Sequence, residues 1–382
     1  MIKNAIAKIH LWLGLTSGVI VLIVSLTGCI YAFSKEITEW RRLDASYVEK
    51  QADSTIPVSK LWEKAEEEFG TEKKISWVNI YNDPKKTWMF YTYKPNPGGL
   101  TYFSSIEHYE SLFIDPYKGE IKAVYNEKLD FFNIVKYLHW SLLLKTEIGQ
   151  PIVGWSTFIF VILLISGLVL WWPKSFKTAQ NRFKIKWKKP TKLYRKLYDL
   201  HNVFGFYSIV FALLISLTGM VWAFRWFQTT VYVVAAGTTS PPDVSMEKSS
   251  PENYIVTNPV DEAYSQTRKK YADANAFRIS FPTDSLGVIN VYVQQKEGMY
   301  YISHQLQFDQ YSGKLLKERK HSDKNFGEKL ITANYDIHVG AILGIPGKIL
   351  AFLVSLICAS LPVTGFLMWW KRRRNRQQIS LF

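Results

Sequence analysis

Four of the chain's seven histidines, His10, His139, His201 and His338, stand beside long apolar stretches and fall into two matched pairs. His10 and His201 each open an apolar span, whereas His139 and His338 each precede the next one. If the spans cross a bilayer in alternating directions, the first pair shares one face and the second pair the other. Imidazole is a common ligand for iron. Two imidazoles facing each other at each side of a membrane are the axial ligands that two stacked b-type haems need. The pattern predicts an electron path through the membrane. One histidine at a membrane boundary is unremarkable, because it can bond a backbone carbonyl. Ionisable residues within membrane segments are functional hypotheses by default, and four at equivalent places are a stronger one. There is no C-x-x-C-H, so the haem is expected to be held without covalent attachment.

The elements that must position these residues are plain in the charge pattern. Leu11 to Ser34, Ile148 to Trp172, Asn202 to Phe224 and Ile349 to Trp370 carry no Asp, Glu, Lys or Arg. Each has the roughly 20 residues that cross a hydrocarbon core, and helices satisfy the backbone there. Trp171-Trp172 and Trp369-Trp370 read as interfacial anchors. Seventeen basic residues and one acid, Asp199, fall before the first span, between the second and third, and after the fourth. These include Lys174, Lys177 and Lys186 in the middle loop and Arg372 to Arg374 with Arg376 in the tail. The positive-inside rule puts both termini and the middle loop in the cytoplasm, with segments near 35–147 and 225–348 facing outward. The net charge of +15 is thereby explained by topology, and no nucleic-acid-binding motif accompanies it. The first span is longer than a signal-peptide core and no A-x-A-like site follows it, so it is expected to be retained. Cys29 and Cys358 lie within spans and read as packing residues.

The chain repeats itself at about 190 residues. HLWLGLTSGVIVLIVSLTGCIYAF (His10 to Phe33) aligns without gaps on HNVFGFYSIVFALLISLTGMVWAF (His201 to Phe224). The closing spans share Ser166-Gly167 and Thr364-Gly365, each ahead of a Trp pair. A third shared element is Asp115-Pro-Tyr117-Lys-Gly119 against Asp309-Gln-Tyr311-Ser-Gly313. Each half reads span, outer segment, span. Such a parallel repeat predicts a four-helix bundle with pseudo-twofold symmetry. The fold class is therefore membrane α-helical: a four-helix bundle from a parallel internal duplication, with two small outer α+β domains. The expected layout is a first membrane helix (1–34), a first outer domain (35–130), and an interface segment with the second helix (131–173). A basic loop (174–200), a third helix (201–226) and a second outer domain (227–330) follow. An interface segment with the fourth helix (331–371) and a basic tail (372–382) complete it. Pro57 to Phe69 has helical periodicity, Trp77 to Tyr93 and Phe277 to Val293 are β-rich, and hairpins are expected to turn at Gly119 and Gly313.

On an ideal helix His10, Gly14, Ser17, Val21 and Gly28 lie within about 40° of one line, as do His201, Gly205, Ser208, Ala212 and Gly219. Small residues beside a histidine leave a slot for a flat macrocycle, with Gly14 and Gly205 as cofactor contacts. The same small residues would also let helices pack closely, and for them alone that is the better reading. A break is expected at Gly149-Gln-Pro151 and at Gly344-Ile-Pro346, between each outer histidine and its span. One span at 1.5 Å per residue puts the two levels about 20–30 Å apart. Lys8 and Arg195 could neutralise propionates or serve only as topology charges. His108, His304 and His321 have no repeat partner and read as surface or structural residues. His108, in an aromatic stretch, is the best placed of the three to touch a substrate. No catalytic acid, base or nucleophile is identified. No Rossmann fingerprint or P-loop is present, so the electron donor must be another molecule.

The two Asp-x-Tyr-x-Gly turns resemble those of PepSY domains. IHLWLGL, the SLTG spans, Leu138-His139-Trp140 and LWWPK together resemble the PepSY-associated transmembrane family of bacterial iron-regulated inner-membrane proteins, in particular its FoxB-type di-haem siderophore reductases. The resemblance covers nearly the whole chain. It implies a multi-pass inner-membrane protein with two haem b, ligated by His10, His201, His139 and His338. It further implies two periplasmic PepSY-like domains and reduction of a ferric siderophore on that side to release iron. The remaining partners would be membrane lipid and a cytoplasmic or quinol donor, with substrate placed between the two outer domains. Two other readings compete. A tethered periplasmic binding module would need no haem and leaves the histidines unexplained. A chelate permease would need polar or broken helices at the midplane, which the apolar span centres lack.

Overall fold

The computed structural model describes residues 1–49, 54–70, 72–173, 182–185, 187–242, 244–251 and 256–379. Lys174, Lys177 and Lys186 of the expected basic loop, and the side chain of Arg376, lie outside the described residues. The main elements of the first half are α1 (Ile2–Tyr31), α2 (Val58–Phe69), β1 (Ile75–Tyr81), β2 (Trp88–Pro95), β3 (Ile106–Ile114), β4 (Ile121–Asn126), α3 (Phe131–Ser141) and α4 (Thr146–Trp171). Those of the second are α5 (Leu193–Ala223), α6 (Pro259–Lys270), β5 (Ala276–Ser280), β6 (Val288–Lys296), β7 (Met299–Asp309), β8 (Leu315–Arg319), α7 (Phe326–His338) and α8 (Gly344–Ile379). They form two compact units. A helical unit takes Met1–Ala32, Val135–Gln228 and Ile337–Phe382, and a sheet unit takes Phe33–Ile134 and Thr229–Asp336.

In the helical unit, α1 and α5 each pack on both α4 and α8, so the four long helices form a ring with α1 diagonal to α5. Val21, Phe160, Leu164, Ile209, Ala212, Val354 and Cys358 fill the interior. All four helices are long and apolar enough to cross a membrane. Their outward faces stay apolar and bare, with Val19 67% and Val210 69% exposed. A lipid surround makes such a face stable, whereas water would leave an unsatisfied apolar patch. The Trp pairs divide their work. Trp172 and Trp370 are exposed, whereas Trp171 is buried and stacks on Phe206 with centroids 3.9 Å apart.

The expected break beside the first outer histidine falls elsewhere. Gly149, Gln150 and Pro151 lie inside α4. The chain turns earlier, at Leu142 and Leu143, whose φ angles are 56° and 60°. Pro151 is near the helix start and removes only one backbone bond there. Gly149 is needed for a different reason: a methyl at that position would overlap the Ser141 carbonyl. In the second half the turn runs through Gly340 (φ 77°) and ends at Gly344 (φ 65°). Pro346 then sits in the first turn of α8, where a missing N–H costs nothing.

The two outer segments, expected as two small domains, share one antiparallel sheet of order β4-β3-β2-β1-β5-β6-β7-β8. Each four-stranded half would leave β1 or β5 as an edge with unpaired backbone groups, and those edges pair with each other. Asn79 opposite Arg278 is the midpoint of that junction. One core then spans both halves, from Val58, Leu61, Val78 and Phe90 to Val260, Phe277, Val291 and Phe308. A hydrogen-bonded strand pair therefore stands where a cleft between two domains was expected. The helices are tied across the junction as well. Ser59 of α2 donates its N–H (2.9 Å) and hydroxyl (2.5 Å) to the Asp261 carboxylate of α6.

The expected helix, β-rich runs and hairpins are all present, and Gly119 and Gly313 turn with φ of 70° and 65°. The Asp-x-Tyr-x-Gly elements build those turns. Asp115 Oδ1 accepts from the N–H groups of Tyr117 and Lys118, and Asp309 Oδ1 from those of Tyr311 and Ser312. The Tyr117 and Tyr311 hydroxyls donate to the Pro84 and Ser285 carbonyls. These bonds shape the ends of the two hairpins.

Candidate functional site

The four histidines meet in two pairs. His10 of α1 faces His201 of α5, with ring centroids 6.5 Å apart and planes at 85°. His139 of α3 faces His338 of α7, at 6.0 Å and 69°. The pairing follows from the ring of helices, which sets α1 and α5 on a diagonal. His139 reaches α1 beside Thr27, and His10 lies seventeen positions earlier on that helix, so the two levels are about 25 Å apart at 1.5 Å per residue.

Each imidazole is held by a Ser/Thr-Gly dipeptide on a neighbouring long helix. His10 Nδ1 lies 2.9 Å from Ser166 Oγ, and His201 Nδ1 lies 2.9 Å from Thr364 Oγ1. His139 Nδ1 lies 3.2 Å from Thr27 Oγ1 and 2.8 Å from the Val24 carbonyl. His338 Nδ1 lies 2.9 Å from Thr218 Oγ1 and 3.1 Å from the Ile215 carbonyl. The following glycine meets the ring in every case. A methyl on Gly167, Gly365, Gly28 or Gly219 would lie 3.3, 3.5, 3.1 or 3.6 Å from Cε1 of its histidine.

A carbonyl oxygen can only accept, so where one faces the imidazole the ring N–H donates: Nδ1–H to Val24 at His139 and to Ile215 at His338, with the Leu361 carbonyl playing the same part at His201. At His10 Nδ1 faces the Ser166 hydroxyl, which also bonds the Leu163 carbonyl, an arrangement that suits the same tautomer. Histidine with Nδ1–H held by an outer partner and Nε2 unprotonated is a ligating form.

A metal–imidazole bond of about 2.0 Å, and about 1.2 Å from nitrogen to ring centre, put two imidazole centres about 6 Å apart across one metal. Both observed separations fit that figure. Among the described residues no group of three or more His, Cys, Asp or Glu side chains is assembled. Two facing imidazoles could hold the metal of a flat macrocycle.

Space beside the first pair is divided between two cavities. One of about 330 Å³ is lined by His10, His201, Gly14, Gly18, Gly365 and Arg372. The other, about 60 Å³, is lined by the same two histidines with Gly167, Gly205 and Phe206. Gly14 thus lines one cavity and Gly205 the other. Gly28 and Gly219 belong to the other level, against His139 and His338. Of the two candidate propionate partners, Arg195 is bound to Asp199 at 2.9 Å, and Lys8 is exposed. Arg372, Tyr194 and Tyr198 line the larger cavity instead. The four Ser/Thr-Gly dipeptides, markers of the internal repeat in the sequence, clamp the histidines in the fold, a role that short-range sequence pattern does not signal.

The other three histidines lie in the sheet unit. His108 is opposite Lys94 in the β2–β3 pair, on the strand face opposite Tyr109. His304 stacks on Tyr271 with centroids 4.5 Å apart, and its Nδ1 accepts from the His321 backbone N–H at 3.1 Å. Burial first, then the neighbouring positive charges, hold His304 and His321 below the ordinary histidine pKa.

Comparison with known families adds one finding. The model described as the PepSY-associated TM region matches residues 7–372. No curated protein matches the chain.

Proposed function

The chain belongs to the PepSY-associated TM family and is a membrane protein, and from that premise we propose that it carries electrons across the bacterial inner membrane through two haem b groups. The observation that carries this reading is the pair of facing imidazoles at each of two levels, 6.5 and 6.0 Å between centres, each with Nδ1 occupied. His10 and His201 would hold one haem, and His139 and His338 the other. When bound, haem iron passes single electrons by cycling between Fe(III) and Fe(II). The protein's own part is to fix the four imidazoles and to shield the sites with apolar helices, and Arg372, Tyr194 and Tyr198, which line the same cavity as His10 and His201, would be the groups to meet a macrocycle's carboxylates. The duplicated sequence gives the symmetric pairs a simple origin.

The basic loop and tail favour a cytoplasmic side for the His10/His201 level, which leaves the His139/His338 level at the periplasmic side. The proposed substrate is a ferric siderophore, by resemblance to the siderophore reductases of the family. Hard oxygen donors hold Fe(III) tightly and Fe(II) weakly, so one electron releases the metal. A cytoplasmic reductant or a membrane quinol would lose one electron for each Fe(III) reduced to Fe(II).

The test is single turnover. Purified protein, reduced anaerobically and freed of reductant, is mixed with a ferric hydroxamate and an Fe(II)-trapping dye. The expected result is oxidation of the protein with one trapped Fe(II) per electron lost, abolished by His139→Ala. A reduced protein left unchanged by the chelate would remove the substrate assignment.

A further inference from the structure

We infer that the Ser166 hydroxyl is a positioning residue that alone sets the tautomer of His10 and tunes it, whereas at His139, His201 and His338 a backbone carbonyl shares that work with the Thr27, Thr364 and Thr218 hydroxyls. The inference about tuning rests on the haem reading; the inference about tautomer does not. The four dipeptides are equivalent in sequence, each a Ser or Thr followed by Gly, one on each long helix. Their surroundings differ. At His139 and His338 a backbone carbonyl lies within 2.8 and 3.1 Å of Nδ1 beside the hydroxyl. At His201 the Leu361 carbonyl likewise bonds the imidazole. Only at His10 is the hydroxyl interposed: Ser166 Oγ bonds Nδ1 on one side and the Leu163 carbonyl, 3.2 Å away, on the other.

The consequence is chemical. An acceptor on Nδ1–H makes the imidazole a more basic ligand and favours the oxidised metal. Loss of the Thr27, Thr218 or Thr364 hydroxyl leaves a carbonyl in place to accept. Loss of the Ser166 hydroxyl leaves the Nδ1–H of His10 without that acceptor. The glycines complete the clamp by letting the ring lie against the helix, since any Cβ there crowds Cε1.

Two readouts on the full-length protein test this. The first is 15N NMR of histidine-labelled protein prepared without haem, in which either ring nitrogen is free to take the proton. The wild type is expected to show all four histidines as the Nδ1–H tautomer. Ser166→Ala is expected to move His10 toward a mixed tautomer, while Thr27→Val, Thr364→Val and Thr218→Val leave His139, His201 and His338 largely unchanged. The second is a redox titration of the haem-loaded protein. Ser166→Ala is expected to raise the midpoint potential of one haem wave, Thr27→Val to shift the other less, and Ser166→Thr to restore the first. Unaltered tautomers and potentials in Ser166→Ala would overturn the inference. A wild type without haem would sink the function proposed above, and the nitrogen signals would still decide the clamp.

Discussion

A histidine in an apolar setting is tolerable only when its N–H has an acceptor, because an unmade bond there costs about 1–3 kcal/mol. That requirement explains why each of the four carries a hydroxyl partner, and why the partner is Ser or Thr rather than an acid that would bring a second buried charge. The histidines were legible in the sequence because their type is rare in spans and their spacing repeats. The clamps were not, because a Ser or Thr in a membrane helix usually bonds its own backbone, and a small residue usually serves packing. The distinction lies in which neighbouring helix each faces. His304 and His321 make a different point at this scale. Both are held below their ordinary pKa of 6.5, by burial and then by nearby positive charge. The unfolded chain therefore binds more protons than the folded one as pH falls through about 6.5, and stability is present above that value and declines below it. Unfolding followed by tryptophan fluorescence at pH 7.5 and pH 5 is expected to show the loss, and His304→Gln to reduce its pH dependence.

At the scale of elements, hydropathy located the four long helices, since length and absence of charge are nearly sufficient evidence for such spans. It misplaced the first turn. Gly149 and Pro151 carry the usual marks of a break, yet the break is at Leu142 and Leu143, residues with no turn preference. The glycine is instead spent on close approach, under the Ser141 carbonyl that ends the histidine-bearing helix. Tertiary contact, not local preference, decides that turn. Gly149→Ala must push α3 away from α4 or strain the turn, a cost of about 1–3 kcal/mol for overpacking. The expected outcome is a lower melting temperature in detergent, with a greater loss at the His139/His338 level than at the His10/His201 level. Gly98→Ala, near a methyl-sized gap with only the Asn96 side chain at 3.5 Å, serves as the control.

For the whole molecule, the internal repeat predicted facing equivalents, and the diagonal α1/α5 arrangement and the order of the sheet follow that pattern. What the repeat could not reveal is that the outer segments join. Equivalence between β1 and β5 says that both are edges or neither is, and only the register from Trp77–Ser280 to Tyr81–Ala276 shows that they pair. Two separate domains and one continuous sheet have the same sequence signature, because both use the same alternation of buried and exposed residues along each strand. The central claim, however, rests on the two histidine pairs. The most direct measurement is a pyridine haemochrome assay of the purified protein beside its His10→Ala and His139→Ala variants. The account predicts two haem b per chain in the wild type and one in each variant, with different reduced-minus-oxidised spectra surviving in the two. A wild type without haem, or variants that keep both, would contradict it.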